Sequence, residues 1–413
     1  MAELADAGGL NPPGGNTLRV RLPLRARQLF SRFANLGTGH NGGRRHMNLE
    51  SLSVFSIPLA LNEPLRTSTG VHESREAVLV RAQSGGKSGW GENVAPIGDF
   101  YMGESAATSI PVMIDQMLPR VIACDDITPE KVSGLLSDIE GYNMAKFAVE
   151  MAVTDLWLRH QFRSLAAYIG AIRTRIQAGV VMGLYDTQAD LERMTEYFMS
   201  LGYTRIKVKI APGRDIDVVR TVRNKVGNDF TLQVDANGAY TSSDISHLAQ
   251  LDEFGLQFIE QPFAATAISD HAQLASAIST PVCLDESIVT MADLESAIQA
   301  KACSFVNIKP ARVGSLFTAV QMYERSHDAG LTPWVGGMLE SGVGRAALLA
   351  FAALPNFTIT HDISASHRYF HYDVTSPFEV EEGMLRVPQG LGIGVIPWKE
   401  EIETATQLAH VTR

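Results

Sequence analysis

From residue 174 onward the chain switches repeatedly between two hydrophobic periods. Short runs rich in β-branched and aromatic residues read as strands: "IQAGVVMG", "RIKVKI", "TLQVDAN", "LQFIEQP", "PVCLDES", "SFVNIKP", "TPWVGG" and "FTITHDI". Between them lie helical stretches such as Asp215 to Val226 and Leu316 to Ala329. The residue closing each of the last seven runs is polar or glycine: Lys209, Asp235, Glu260, Asp285, Lys309, Gly336 and Asp362, in steps of 24 to 27 residues. One βα unit has this length, so eight of them predict an α/β fold, a (β/α)8-type TIM barrel of about 200 residues. An open doubly wound sheet is the alternative, but no G-x-G-x-x-G turn follows a first strand.

Ahead of the repeat, "LESLSVFSIPLAL", "EAVLVRAQS" and "GWGENV" alternate as an antiparallel meander. Met144 to Arg159 follows at helical spacing, its apolar stripe expected to pack on neighbouring helices. Residues 1–46 differ, with seven arginines against two acids and Gly/Pro-rich stretches. They lack an apolar core that would make a secretory signal. They are expected to be a disordered basic extension, or the product of a start assigned too early, with Met47 opening the folded chain.

Composition narrows the function classes. The chain has 413 residues, 45% hydrophobic, which is enough for a large core and a second domain. A net charge of −10 without a basic run in the body argues against a nucleic-acid partner. No apolar run approaches a membrane span. The three cysteines (Cys124, Cys283, Cys303) are far apart, which suits a reducing cytoplasm. A homo-oligomer is expected, with no nucleic-acid or membrane partner.

The chemistry lies at the strand ends, where such barrels carry their active sites. Asp235, Glu260 and Asp285 end three successive strands and can converge as hard oxygen ligands for Mg²⁺ or Mn²⁺. No Cys or His joins them, which argues against zinc. Lys209 and Lys309 flank the acids in chain order. Lys207 shares a face with Lys209 and is expected to point inward and lower its neighbour's pKa by like-charge repulsion. A metal between opposed lysines suits proton abstraction α to a carboxylate: one base gives elimination, two give racemisation. Trp334 is expected in the barrel core. A metal-free Schiff-base aldolase using one lysine is a remote alternative, as is a non-catalytic barrel binding a partner through its basic tail.

The K-x-K, Asp, Glu, Asp, Lys series resembles that of the enolase superfamily, muconate-lactonizing subgroup. "LQVDANGAYT", "FIEQP", "CLDES", "VNIKPARVG" and "GGMLESGVGRAA" resemble the o-succinylbenzoate synthase / N-acylamino acid racemase family, over about Met47 to Pro397. "HDISAS" and "TSPFEVEEGMLRVPQGLGIGV" continue the likeness past the barrel. The resemblance implies that Lys209 and Lys309 are an acid/base pair, that Asp235, Glu260 and Asp285 hold Mg²⁺, and that Asn237 and Glu340 border the site. It implies a barrel over 174–365, and a capping domain built from 47–173 and completed by 366–413. Loops at 67–70 and 96–101 would close over substrate. The pocket would be formed by Leu65, Ser68, Thr69, Tyr101, Gly336, Gly337, Met338, Asp362 and Tyr369. Arg312 stands where racemising relatives carry arginine. The sequence departs from the family pattern at Thr69, Asn93, His361 and His367, and both histidines are expected to be solvated loop residues. Dehydration to o-succinylbenzoate, racemisation of N-succinyl amino acids, or both are implied. Muconate-type cycloisomerisation and dipeptide epimerisation are the alternatives, the latter disfavoured because "THDIS" lacks an Asp-x-Asp.

Overall fold

The computed structural model describes residues 47–67, 70–98 and 102–413. The basic segment before Met47 lies outside the described residues. Strands β1 (Ser51–Arg66), β2 (Val71–Ser84) and β3 (Lys87–Asn93) form the expected antiparallel meander. Gly85 and Gly86 join β2 to β3 at φ of 55° and 69°. A two-residue turn matched to strand twist needs that left-handed backbone, which side chains resist. Most of the cap sheet's apolar face, including Leu52, Val54, Val78 and Val80, is buried in one cluster with the Asn143–His160 helix.

That helix does not carry a single apolar stripe. It is buried nearly all round, Glu150, Thr154 and Asp155 included, because it is sandwiched between the cap sheet and the barrel. The glycines of "GWGE" allow the approach: a Cβ at Gly89 or Gly91 would strike the helix backbone at Leu156 or Ala148.

Seven parallel strands run in sequence order: β5 (Val180–Met182), β6 (Arg205–Lys209), β7 (Thr231–Asp235), β8 (Ile259–Glu260), β9 (Val282–Leu284), β10 (Phe305–Ile308) and β11 (Thr332–Val335). The first run is split. β4 (Arg175–Gln177) pairs antiparallel with β12 (Met384–Arg386), leaving β5 for the barrel. β13 (Thr406–Thr412) returns to the cap and pairs antiparallel with β1.

The eighth run, "FTITHDI", forms no strand, so the barrel is a curled seven-stranded sheet with a seam. Backbone bonds cross the seam from Asp362 N to Val335 O (2.9 Å) and from Gly179 N to Ile363 O (3.2 Å). Side chains supply further partners. Val335 N donates to His361 Nδ1 (3.1 Å), Ser364 Oγ to Gly179 O (2.7 Å), Arg205 Nη1 to Val180 O (3.1 Å) and Arg368 Nη2 to Val181 O (3.0 Å). Buried backbone groups must be paired, and here polar side chains do what an eighth strand would. His361 is therefore no solvated loop residue: it is 3% exposed, its ring edge-on to Phe357. His367 is exposed as expected. Asn93 is fully buried, donating to Ser109 Oγ and accepting from Ala95 N.

Trp334 lies in the barrel core against Phe258 and donates from Nε1 to Cys283 Sγ at 3.2 Å. The Lys207 ammonium sits 5.1 Å from its ring centroid.

Candidate active site

β6 turns Arg205, Lys207 and Lys209 to one face, and both lysines point inward, 2% and 8% exposed. Strand register sets Lys209 beside Asp235 and Asp235 beside Glu260. Lys209 Nζ donates to Asp235 Oδ2 and to Asn237 Oδ1, each at 2.7 Å. On the other side of the acids, Lys309 Nζ donates to Asp285 Oδ2 at 2.8 Å. Arg312, in the short Pro310–Val313 helix, bonds the other oxygen of Asp285 and donates to Asn307 O at 2.7 Å. Glu260 stands between, accepting from Lys207 at 2.9 Å and Asn307 Nδ2 at 2.7 Å. Gly336 leaves room here, since a Cβ would collide with Asn307 and with Lys309 Cε.

Lys207 points inward as expected, and three carboxylates surround it. Its ammonium faces Glu260 and Asp362 at 2.9 Å and Asp235 at 3.2 Å. Burial opposes its charge, but these carboxylates hold its pKa well above the ordinary lysine value. Two of these anions were expected beside the lysines; the third, Asp362, comes from the strandless eighth segment and was expected only as a pocket residue.

The acids respond unequally. Burial would raise Asp285, but Arg312 and Lys309 hold it well below the usual carboxylate range. Asp235 is likewise held low against its burial by Lys209 and Lys207. Glu260 is pushed up to about 8 by burial and by Asp235, with Lys207 opposing. A buried acid whose pKa is pushed up by neighbouring acids marks a site short of positive charge, which a divalent cation would supply. The donor set of three hard carboxylates fits such an ion. As they stand, no three acidic, histidine or cysteine side chains among the described residues are grouped as a metal site; each carboxylate is turned to an ammonium or guanidinium.

A cavity of about 460 Å³ opens over these groups. Lys207, Lys209, Lys309, Asp235 and Asn237 form its barrel side, with Gly337, Met338, Leu339, Asp362 and Tyr369. Leu65, Thr67, Val71, Val94, Pro96, Ile97 and Gly98 come from the cap. Five of the expected pocket residues (Leu65, Gly337, Met338, Asp362 and Tyr369) thus line it; Ser68, Thr69 and Tyr101 lie outside the described residues. Gly336, Glu340 and Arg312 do not line it. Glu340 is 5% exposed and accepts from Met338 N at 2.9 Å, beneath the loop that does.

Several site residues escaped the sequence reading. Glu286 accepts from Asn237 Nδ2 at 3.0 Å, fixing the amide whose oxygen meets Lys209, while its own Oε2 is buried without a partner. Asn307 holds Glu260, and Arg75, Glu73 and Ser74 come to the cavity from β2. Asn307 carried a signal, lying two residues before Lys309 and so on the same strand face.

A seven-stranded parallel barrel, a sheet cap and lysines flanking three acids define the class to which comparison also leads. The mandelate racemase / muconate lactonizing enzyme N-terminal domain matches residues 50–170, and the enolase C-terminal domain-like family matches 189–401. The chain belongs to the enolase superfamily. It is 43% identical over 360 residues to an N-succinylamino acid racemase of an Amycolatopsis species, covering 87% of this chain and 98% of that one. It is 40% identical over 367 residues to an o-succinylbenzoate synthase of Geobacillus stearothermophilus, covering 88% and 98%. It is an enzyme of this type. A solved enolase-superfamily member from Listeria innocua superposes with a TM-score of 0.83 at 36% identity, covering 88% of this chain and 98% of that one. Among the described residues no helix is long and apolar enough to cross a membrane.

Proposed function

We propose that the enzyme removes the proton α to the carboxylate of an N-succinyl amino acid, of the cyclohexadiene precursor of o-succinylbenzoate, or of both. The observation that carries this is the pair of lysines, Lys209 and Lys309, reaching one cavity from either side of Asp235, Glu260 and Asp285. Both relatives named above support it. Residues 174–365 carry the chemistry in this reading, while 47–173 and 366–413 form the cap over the substrate.

Asp235, Glu260 and Asp285 would hold Mg²⁺, which when bound supplies the positive charge that stabilises the carboxylate after its α-proton has left. In racemisation, one lysine in its neutral form takes the α-proton through Nζ, and the opposite ammonium returns a proton to the other face. The two exchange roles between enantiomers. In dehydration, Lys209 takes the α-proton on Nζ and returns it to the departing hydroxyl as the C–O bond breaks, so that water leaves and the lysine is neutral again, while Lys309 stays an ammonium beside the substrate. Asn237, oriented by Glu286, holds Lys209 in place.

The test incubates the protein with Mg²⁺ in D₂O, with N-succinyl amino acids and separately with the cyclohexadiene substrate. α-Deuterium incorporation and product absorbance are followed. No exchange and no product with either substrate would overturn the reading.

A further inference from the structure

The proton chemistry above makes no use of a buried ion pair in the cap. Arg75 on β2 donates from Nη2 to Glu92 Oε1 on β3 at 3.2 Å, the two residues being 4% and 1% exposed. The rest of the guanidinium reaches outward. Nη1 donates to Ala95 O at 3.1 Å, in the loop leaving β3, and Nη2 also to Asn93 O at 3.4 Å, at the strand's last residue. Nε donates to Leu339 O at 2.8 Å, in the loop leaving β11. Glu92 extends the connection into the barrel. It accepts from Ser341 N at 3.0 Å, Ser341 Oγ at 2.7 Å and Gly344 N at 2.9 Å, at the start of the Gly342–Ala352 helix. Gly344 allows this, since a Cβ there would stand 2.7 Å from Glu92 Oε2.

The two loops joined by this one guanidinium both line the cavity, Val94 and Pro96 to Gly98 from the cap, Gly337 to Leu339 from the barrel. In the reading above the lysines hold the α-carbon at the barrel side, and both loops contribute to the wall of the same cavity, where the substrate's remaining arm would be held. A planar fork with donors in fixed directions can hold both; a lysine, with one point charge on a flexible stem, cannot.

We propose that Arg75, backed by Glu92, is a positioning residue that sets the separation of the two loops and thereby the size of substrate arm the cavity accepts. The substrates named rest on the reading under Proposed function; the strap itself does not.

The test compares wild type with Arg75→Lys and Arg75→Met, as full chains with Mg²⁺. Amide hydrogen exchange in 94–98 and 337–341 should quicken together by about tenfold or more, while 205–209 and 231–235 hold. KM for N-succinyl amino acids should rise about tenfold with a smaller change in kcat, and the order of preference among N-acetyl, N-succinyl and N-benzoyl substrates should change. Lysine should not rescue. Loosening of one loop only or of neither, or a fall in kcat with KM and preference unchanged, overturns the proposal. Hydrogen exchange reads the strap without any substrate. If wild type proves inert to all three acyl substrates while both loops loosen in the variants, the substrate reading fails and the strap stands. Should the Arg75 variants not fold, Ser341→Ala, which loses the 2.7 Å bond to Glu92, should loosen the same two loops by less. Unchanged protection in both would overturn the proposal equally.

Discussion

His361 makes the seam between β11 and the eighth segment sensitive to acid. Its Nδ1 accepts from Val335 N at 3.1 Å, so its proton sits on Nε2 and there is no room for a second one. Burial first, then Arg205 and Arg173, push its pKa down to about 3, against a hydrogen bond to the Ala352 backbone. A group whose pKa is depressed by folding, from about 6.5 when unfolded, stabilises the fold above that pH. The contribution is lost as pH falls toward 3, because the unfolded chain binds the proton first. Each pH unit in that window removes about 1.4 kcal/mol, so the step from pH 7 to pH 5 removes about 2 kcal/mol. His361→Asn keeps an acceptor near Val335 N but cannot titrate. The variant should be less stable at pH 7, having lost the edge-on contact with Phe357. Its stability should nonetheless fall about 2 kcal/mol less than wild type's between pH 7 and 5. Urea titrations at pH 7, 6 and 5 measure both. Asp155, pushed up to about 6, and Glu150, to about 8, both by burial, work in the opposite direction, but in wild type and variant alike. They cancel in the comparison. Equal pH slopes in the two proteins would refute the argument that His361 is buried neutral.

Asp235→Asn, Glu260→Gln and Asp285→Asn should each abolish turnover while circular dichroism stays native, and excess EDTA should do the same to wild type. Lys309→Arg should leave Lys209 able to exchange the α-proton of one N-succinyl enantiomer without inverting it, with the reverse for Lys209→Arg; proton NMR in D₂O reads both. Arg312 and Lys309 share the Asp285 carboxylate, so Arg312→Gln should leave Asp285 to hold the ammonium of Lys309 more firmly. It should then lower kcat/KM for racemisation more than for dehydration, and an unchanged ratio would remove that role. Gly91→Ala should cost about 3 kcal/mol, read as a fall in Tm, because the new methyl meets the backbone of Ala148 rather than a side chain that can turn away.

The barrel and its lysines and acids were legible because polar residues at 24- to 27-residue steps interrupt runs that should be apolar, which only strand ends facing a site explain. The eighth strand was misread because "FTITHDI" has the composition of a strand, while its ladder bonds went to His361, Ser364, Arg205 and Arg368, a choice made by tertiary neighbours. The contact between Lys207 and Asp362 was hidden for a related reason: the sequence sets Lys207 beside Lys209, but only folding brings Asp362 to it. Arg75 and Glu92 gave no warning, since one charged residue on a strand is ordinary until its face is known to be covered. "GWGE" was read only as a strand, although two glycines alternating on one face are a signal of close backbone approach.

The return of β13 to the edge of β1 has a consequence during synthesis. Ser53 meets His410 across 357 residues of chain. At roughly 5–20 residues per second, the ribosome leaves the edge of β1 without its partner for about 20–70 s. Through that interval "SLSVFSIPLAL" presents an open, largely apolar strand edge, the kind of template on which nascent chains pair with one another. The nascent enzyme should therefore depend on chaperones that shield strand edges. Fewer ribosomes on each message, which keeps nascent chains apart while that edge is open, should raise the soluble fraction.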